Sequence, residues 1–181
     1  MTSSSKTEFD PQVAAALHAK AGHLFEGSHD GSDVSIVFVC GRFNGGITSR
    51  LLEGALAAAE ECGIGRASIA IAWAPGAYEI PFLAHQFAAS TSVDAVVALG
   101  AVIRGDTGHY DVVAGECARG LQDVQLSTGI PVIFGVLTTN TVDQALERSL
   151  PDETNKGRES LLTALEMVSL SRQVAGTVVE D

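Results

Sequence analysis

Ala95-Val96-Val97-Ala98-Leu99-Gly100-Ala101-Val102 is a run without a single charged or amide side chain. Its length suits a β-strand and falls far short of the roughly 20 apolar residues that a membrane-spanning helix needs. Apolar residues do not alternate with polar ones along it. Both faces of such a strand must therefore be covered, as they are in a parallel sheet wrapped by helices. Three more runs of the same kind lie on either side: Val34–Val39, Ala67–Ala72 and Pro131–Leu137.

The segments between these runs have helical spacing. Ile47–Cys62 is rich in alanine and closed by Gly63. A helix near Ile80–Ser90 follows the turn Pro75-Gly76, and another near Val112–Leu126 follows a glycine-rich loop. Helices are expected near Val142–Leu150 and from about Arg158 to Leu170. Four hydrophobic strands alternating with helices predict an α/β fold, with a four-stranded parallel sheet and helices on both faces. Residues 23–175 then form one domain, with a tail at 176–181. Met1–Gly22 is an extension: Asp10-Pro11 is a helix-start signal and Gln12–Lys20 is alanine-rich, so that stretch is either a short helix or a frayed tail.

At 181 residues the chain suits a single core. Apolar residues make up 46 % of it and the mean hydropathy is +0.23, high for a soluble protein. Either the sheet is buried on both faces or other subunits cover much of the surface. Met1–Asp10 is polar and lacks the apolar core of a signal peptide, so a cytoplasmic location without membrane attachment is expected. Cys40, Cys62 and Cys117 form no C-x-x-C pair, which fits buried thiols in a reducing compartment. The net charge of −11 argues against general nucleic-acid binding. A small phosphorylated substrate needs only one local positive pocket.

Ligands of such sheets bind beyond the C-terminal ends of the strands. That directs attention to Gly41–Gly46, Trp73–Pro81, Ile103–Asp111 and Thr138–Thr141. The first of these loops is neither G-x-G-x-x-G nor a Walker A loop. Its Phe43 is either a core residue or a stacking platform for a planar ring. Glu79 lies where a helix begins, so its carboxylate either caps that helix or faces a ligand. In the third loop, glycines around Asp106-Thr107 allow backbone N–H groups to turn toward an anion. His109 stands at the mouth of that loop, either as a proton carrier near neutral pH or as a helix cap. The remaining histidines are not spaced as metal ligands, so no metal is expected. The three lysines, Lys6, Lys20 and Lys156, do not end strands, which argues against an enzyme-bound Schiff base. No G-x-S-x-G elbow is present either.

Taken together, several segments resemble the lumazine synthases of riboflavin biosynthesis. These are Gly41-Arg42-Phe43-Asn44, Pro75-Gly76-Ala77-Tyr78-Glu79-Ile80-Pro81 and Leu99-Gly100-Ala101-Val102-Ile103-Arg104-Gly105. The match continues with Thr107, His109-Tyr110-Asp111, Pro131-Val132-Ile133-Phe134-Gly135, Leu137-Thr138-Thr139-Asn140, Gln144-Ala145-Leu146-Glu147-Arg148 and Asn155-Lys156-Gly157. The similarity runs in order from about His23 to Leu170. The resemblance implies a three-layer sandwich of flavodoxin-like topology. It also implies a cofactor-free transferase that condenses 5-amino-6-(D-ribitylamino)uracil with 3,4-dihydroxy-2-butanone 4-phosphate, releasing phosphate and water.

By the same resemblance Phe43 stacks on the pyrimidine, Ala77, Tyr78 and Glu79 hold its ring and ribityl chain, and Ala101, Val102 and Ile103 supply backbone contacts. Asp106 and Thr107 cradle the phosphate with Arg148 as the cationic partner, and Lys156 is a further candidate there. Phe134 and Arg148 come from a neighbouring subunit, and His109 moves protons. Many relatives carry a small neutral residue at the position of Asp106 and often Thr at that of Gly108; a carboxylate beside a phosphate is tolerable if it points to solvent. The family forms pentamers, in some members twelve of them closed into an icosahedral shell. The uninterrupted Arg148–Gly157 segment favours the shell, with His23–Gly27 added as an edge strand to the neighbour's sheet and riboflavin synthase as a candidate partner. The alternatives are a shell-forming relative without activity and a flavin-binding module.

Overall fold

The computed structural model describes residues 11–90 and 92–177. Those parts of the expected extension and tail that precede Pro11 or follow Thr177 lie outside the described residues. The elements in order are α1 (Pro11–His18), β1 (Ile36–Gly41), α2 (Gly45–Glu61), β2 (Ile69–Ala74), α3 (Ile80–Ser90), β3 (Ala95–Ile103), α4 (His109–Thr128), β4 (Val132–Thr139), α5 (Val142–Glu147) and α6 (Lys156–Gly176). The four strands form one parallel sheet in the order β2-β1-β3-β4.

The unbroken apolar runs follow from a sheet with two cores. Along β1, Ile36, Phe38 and Cys40 pack with α2 and α6, while Val37 and Val39 pack with α3 and α4. Along β3, Ala95, Val97, Leu99 and Ala101 face the first core and Val96, Ala98 and Val102 the second. Side chains alternate across a strand, so a strand covered twice needs apolar residues at every position. The edge strands obey this less strictly. Ile71 and Trp73 of β2 and Phe134 of β4 remain exposed on the single chain.

Several expected boundaries shift, for local reasons. β1 begins at Ile36, not Val34, because Ile36 is the first residue in register with both Ile69 and Ala95. Just before it, the Ser35 amide donates to the Asp94 carboxylate at 2.8 Å. β2 starts at Ile69 because Arg66–Ser68 forms a 3-10 turn. α5 stops at Glu147, short of the expected Leu150, a residue that Pro151 keeps out of helical backbone. The alanine-rich stretch after Asp10 is helical from Pro11 to His18. Residues 23–27 form no strand within this chain; Gln173 Nε2 donates to the Glu26 carbonyl at 2.7 Å, which places them along α6. No helix of the described residues is long and apolar enough to cross a membrane.

All three cysteines are free. Burial pushes the thiols of Cys40 and Cys117 up to about 12, so both stay protonated and serve as small apolar core residues.

The first layer is locked where α6 meets α2. Asn155 is buried and caps α6: its Oδ1 accepts from the amides of Gly157 (2.9 Å) and Arg158 (3.2 Å). Its Nδ2 donates to the carbonyls of Leu150 (2.8 Å) and Arg50 (3.2 Å), the latter within α2. Gly157 lies so close to α2 that a Cβ there would overlap the backbone carbonyl of Leu51. The triplet Asn155-Lys156-Gly157 thus has a structural explanation on both sides of its lysine. Gly157→Ala should destabilise the fold by about 1–3 kcal/mol, the usual range for overpacking a core. Urea denaturation would register this as a lower midpoint, whereas an unchanged midpoint would show that the two helices can separate freely.

Candidate active site

The parallel arrangement places the loops after β1, β2 and β3 at one end of the sheet, and a cavity of about 640 Å³ opens among them. Phe43, Ala77, Tyr78, Glu79, Ala101, Val102, Ile103, Thr107 and His109 all line it. A somewhat larger groove, about 710 Å³, runs between α2 and residues 149–153. Its charges are partly matched within the chain, Arg158 pairing with Glu61 at 2.7 Å, and apart from Gly46 it receives none of the loops that follow the strands.

Each wall of the smaller cavity has a local cause. Phe43 is 74 % exposed, which overturns the reading of it as a core residue. The backbone holds it out: the amides of Arg42 and Phe43 donate to the carbonyls of Ala74 (2.9 Å) and Pro75 (3.1 Å), and α2 begins just beyond it. An aromatic ring fixed in solvent at the edge of a cavity is a ready stacking surface. On the second wall, Gly76 starts a 3-10 turn, Ala77–Glu79, that runs directly into α3. Glu79 caps no helix through its side chain, and among the described residues its carboxylate has no hydrogen-bond partner.

The third wall is the end of β3 and the loop into α4. His109 is the first residue of α4, and its amide donates to Thr107 Oγ1 at 3.4 Å. The imidazole is exposed and, among the described residues, is not engaged in a cap or another hydrogen bond, so it is free to meet a ligand. Asp106 is exposed and does not line the cavity, which removes the expected clash of its carboxylate with an anion held inside. Arg104 is committed elsewhere. Its guanidinium forms two bonds with Asp111 (2.9 and 3.2 Å), donates from Nε to Asn140 Oδ1 at 3.2 Å and lies 4.0 Å over the Tyr110 ring. The Asp111 carboxylate holds the Arg104 pKa above the ordinary guanidinium value. This clip closes the loop that carries Thr107 and His109.

Phe134, Arg148 and Lys156 do not line this cavity. Phe134 and Lys156 share a shallow cleft of about 300 Å³ along β4 and α6, with the Lys156 ammonium 2.6 Å from Glu159. Arg148 follows α5, donating to the Gln144 carbonyl at 3.0 Å and lying 3.6 Å from Glu147. The loop after β4 contributes nothing to the cavity: Thr141 caps α5 and Asn140 serves Arg104. Asn44, Tyr110, Val112 and Val113 do line it, although neither their spacing nor the family resemblance assigns them a role. Tyr110 and Val113 share helical spacing at the start of α4, a signal that could have been used.

Among the described residues, then, the cavity has an exposed aromatic, a free carboxylate and a free imidazole, and no lysine or arginine. That set suits a planar, polyhydroxylated, proton-exchanging ligand and provides no counter-charge for an anion. A family model described as 6,7-dimethyl-8-ribityllumazine synthase matches residues 33–172. The match spans every strand of the sheet and every residue of the cavity, and on that ground the chain belongs to the 6,7-dimethyl-8-ribityllumazine synthase family.

Proposed function

We propose that this chain condenses 5-amino-6-(D-ribitylamino)uracil with 3,4-dihydroxy-2-butanone 4-phosphate to 6,7-dimethyl-8-ribityllumazine, with loss of phosphate and water. The observation that carries this reading is the composition of the cavity: stacking face, carboxylate and imidazole together, cation elsewhere. Phe43 stacks on the pyrimidine, and Glu79, with Ala77 and Tyr78, binds the ring and ribityl chain. The backbone of Ala101, Val102 and Ile103 meets the edge of the ring. The Thr107 amide, at the cavity wall, turns toward the phosphate at the start of α4, a favourable end for an anion, while the adjoining Asp106 stays exposed.

The chemistry needs few protein groups. The 5-amino group attacks the ketone, and loss of water gives an imine. Phosphate then leaves, and the ribityl-bearing nitrogen closes the second ring with loss of a second water. The nucleophiles belong to the substrate, so the protein's tasks are holding two reactants together and moving protons. Well-oriented pairs gain roughly 7–11 kcal/mol from proximity in favourable cases. His109, exposed at the cavity wall, is the proton carrier.

A phosphate in this cavity needs a cation, since an unpaired buried charge is costly. We place Arg148 there from a neighbouring subunit, together with Phe134, with Lys156 as a further cation. This requires a ring of subunits, and a pentamer, with twelve pentamers closed into a shell, is the assembly we propose. Exposed Ile71, Trp73 and Phe134 on the two sheet edges supply apolar surface for such contacts.

Two variants separate these roles. His109→Ala should lower kcat by roughly 10²-fold while leaving measurable lumazine fluorescence, because proximity survives the loss of a proton shuttle. Complete inactivity of a folded, assembled His109→Ala protein would contradict this division of labour. Arg148→Ala should raise KM for the butanone phosphate by about 10–100-fold, as expected for one charge-assisted hydrogen bond, and leave KM for the pyrimidine near wild type. An unchanged KM for the phosphorylated substrate would remove Arg148 from the site.

A further inference from the structure

An asparagine that precedes a helix normally turns its side chain onto the free amides of the first turn. Asn44, directly before α2, makes no such cap. Its Nδ2 donates instead to the Ala101 carbonyl on β3, at 2.9 Å. Its backbone is left-handed, φ 58 and ψ 33, and among the described residues no other non-glycine has positive φ. Glycine would take that conformation without strain but has nothing with which to reach β3. Asparagine tolerates the conformation and spans the gap. A strained residue that forgoes its cap is a reason to look for a function.

The surroundings indicate which one. The ladder between β1 and β3 ends at Cys40 opposite Leu99, so beyond it the two strand ends are joined by no backbone pairing. The loop bearing Phe43 is held toward β2 by backbone bonds that any residue could make, from the Arg42 and Phe43 amides. Toward β3 it is held by the Asn44 side chain. Phe43 and Ala101–Ile103 line the same cavity, and a flat ring stacked on Phe43 with its edge at the end of β3 needs the two at a fixed spacing.

Resting on the reading given under Proposed function, we propose that Asn44 is a positioning residue, whose tether to Ala101 sets the Phe43 ring opposite the end of β3 and thereby fixes the pyrimidine site. It acts through Phe43 and takes no part in proton transfer.

Two substitutions isolate the tether. Asn44→Gly relieves the left-handed backbone and removes the side chain, at little cost to the helix start. Asn44→Asp keeps size and backbone tolerance but has no donor to offer a carbonyl. Steady-state kinetics with each substrate varied in turn, beside thermal melts, should show KM for the pyrimidine raised about tenfold in both variants, as for one lost hydrogen bond. KM for the butanone phosphate and Tm should stay near wild type. An unchanged pyrimidine KM, or an equal rise for both substrates, would overturn the proposal. If wild-type protein forms lumazine while the variants match it, the functional reading stands and the role of Asn44 falls; a wild type that forms no product overturns both.

Discussion

β3 is paired with β1 on one side and β4 on the other, and covered by helices on both faces. Every other feature of the molecule is hung on this strand. Its parallel neighbours force each connection to cross back over the sheet, which produces the two helical layers. The same direction brings the ends of β1, β2 and β3 together, and their loops make the cavity. A strand so enclosed cannot slip in register without exposing one set of apolar side chains, so the cavity walls inherit their spacing from the core. Asn44 extends that control one step past the last ladder pair, from Ala101 to the base of the Phe43 ring.

Electrostatics sets the second constraint. The chain carries a net charge of −11, and Arg104, in the loop that follows β3, is tied to Asp111, Tyr110 and Asn140. That arrangement stiffens the approach to His109 while leaving the cavity without positive charge. On the proposed reading the missing charge arrives with a second subunit. A site of that kind stays incomplete until assembly, which couples phosphate binding to oligomerisation.

Much of this could be read from the residues alone. The uniform apolar character of Val96–Ala98 or Val37–Val39 signals double burial, and loops rich in glycine after such strands mark the site end. Strand edges were harder to place, because Val34 is as apolar as Ile36 and only pairing to Ile69 and Ala95 distinguishes them. Phe43 could not be placed by composition: the hydrogen bonds that hold it in solvent come from Ala74 and Pro75, more than 30 residues away in sequence. Nothing in the residues around Asn44 signals its bond to Ala101, which depends on how two strand ends meet. Gly157 is similar, since its need to be glycine arises from the Leu51 carbonyl on another helix. Local pattern reports burial and turns; long-range contacts decide which side chains stay free for chemistry.

The composite character of the site is the claim on which the functional account turns. Mixing denatured His109→Ala and Arg148→Ala chains, refolding them together and assaying lumazine formation at low butanone phosphate tests it directly. If histidine and arginine of one site come from different chains, random assembly should restore about one quarter of wild-type activity, because that share of subunit pairs unites two intact residues. If both residues served a site within one chain, the mixture would be no more active than the average of the two variants refolded separately.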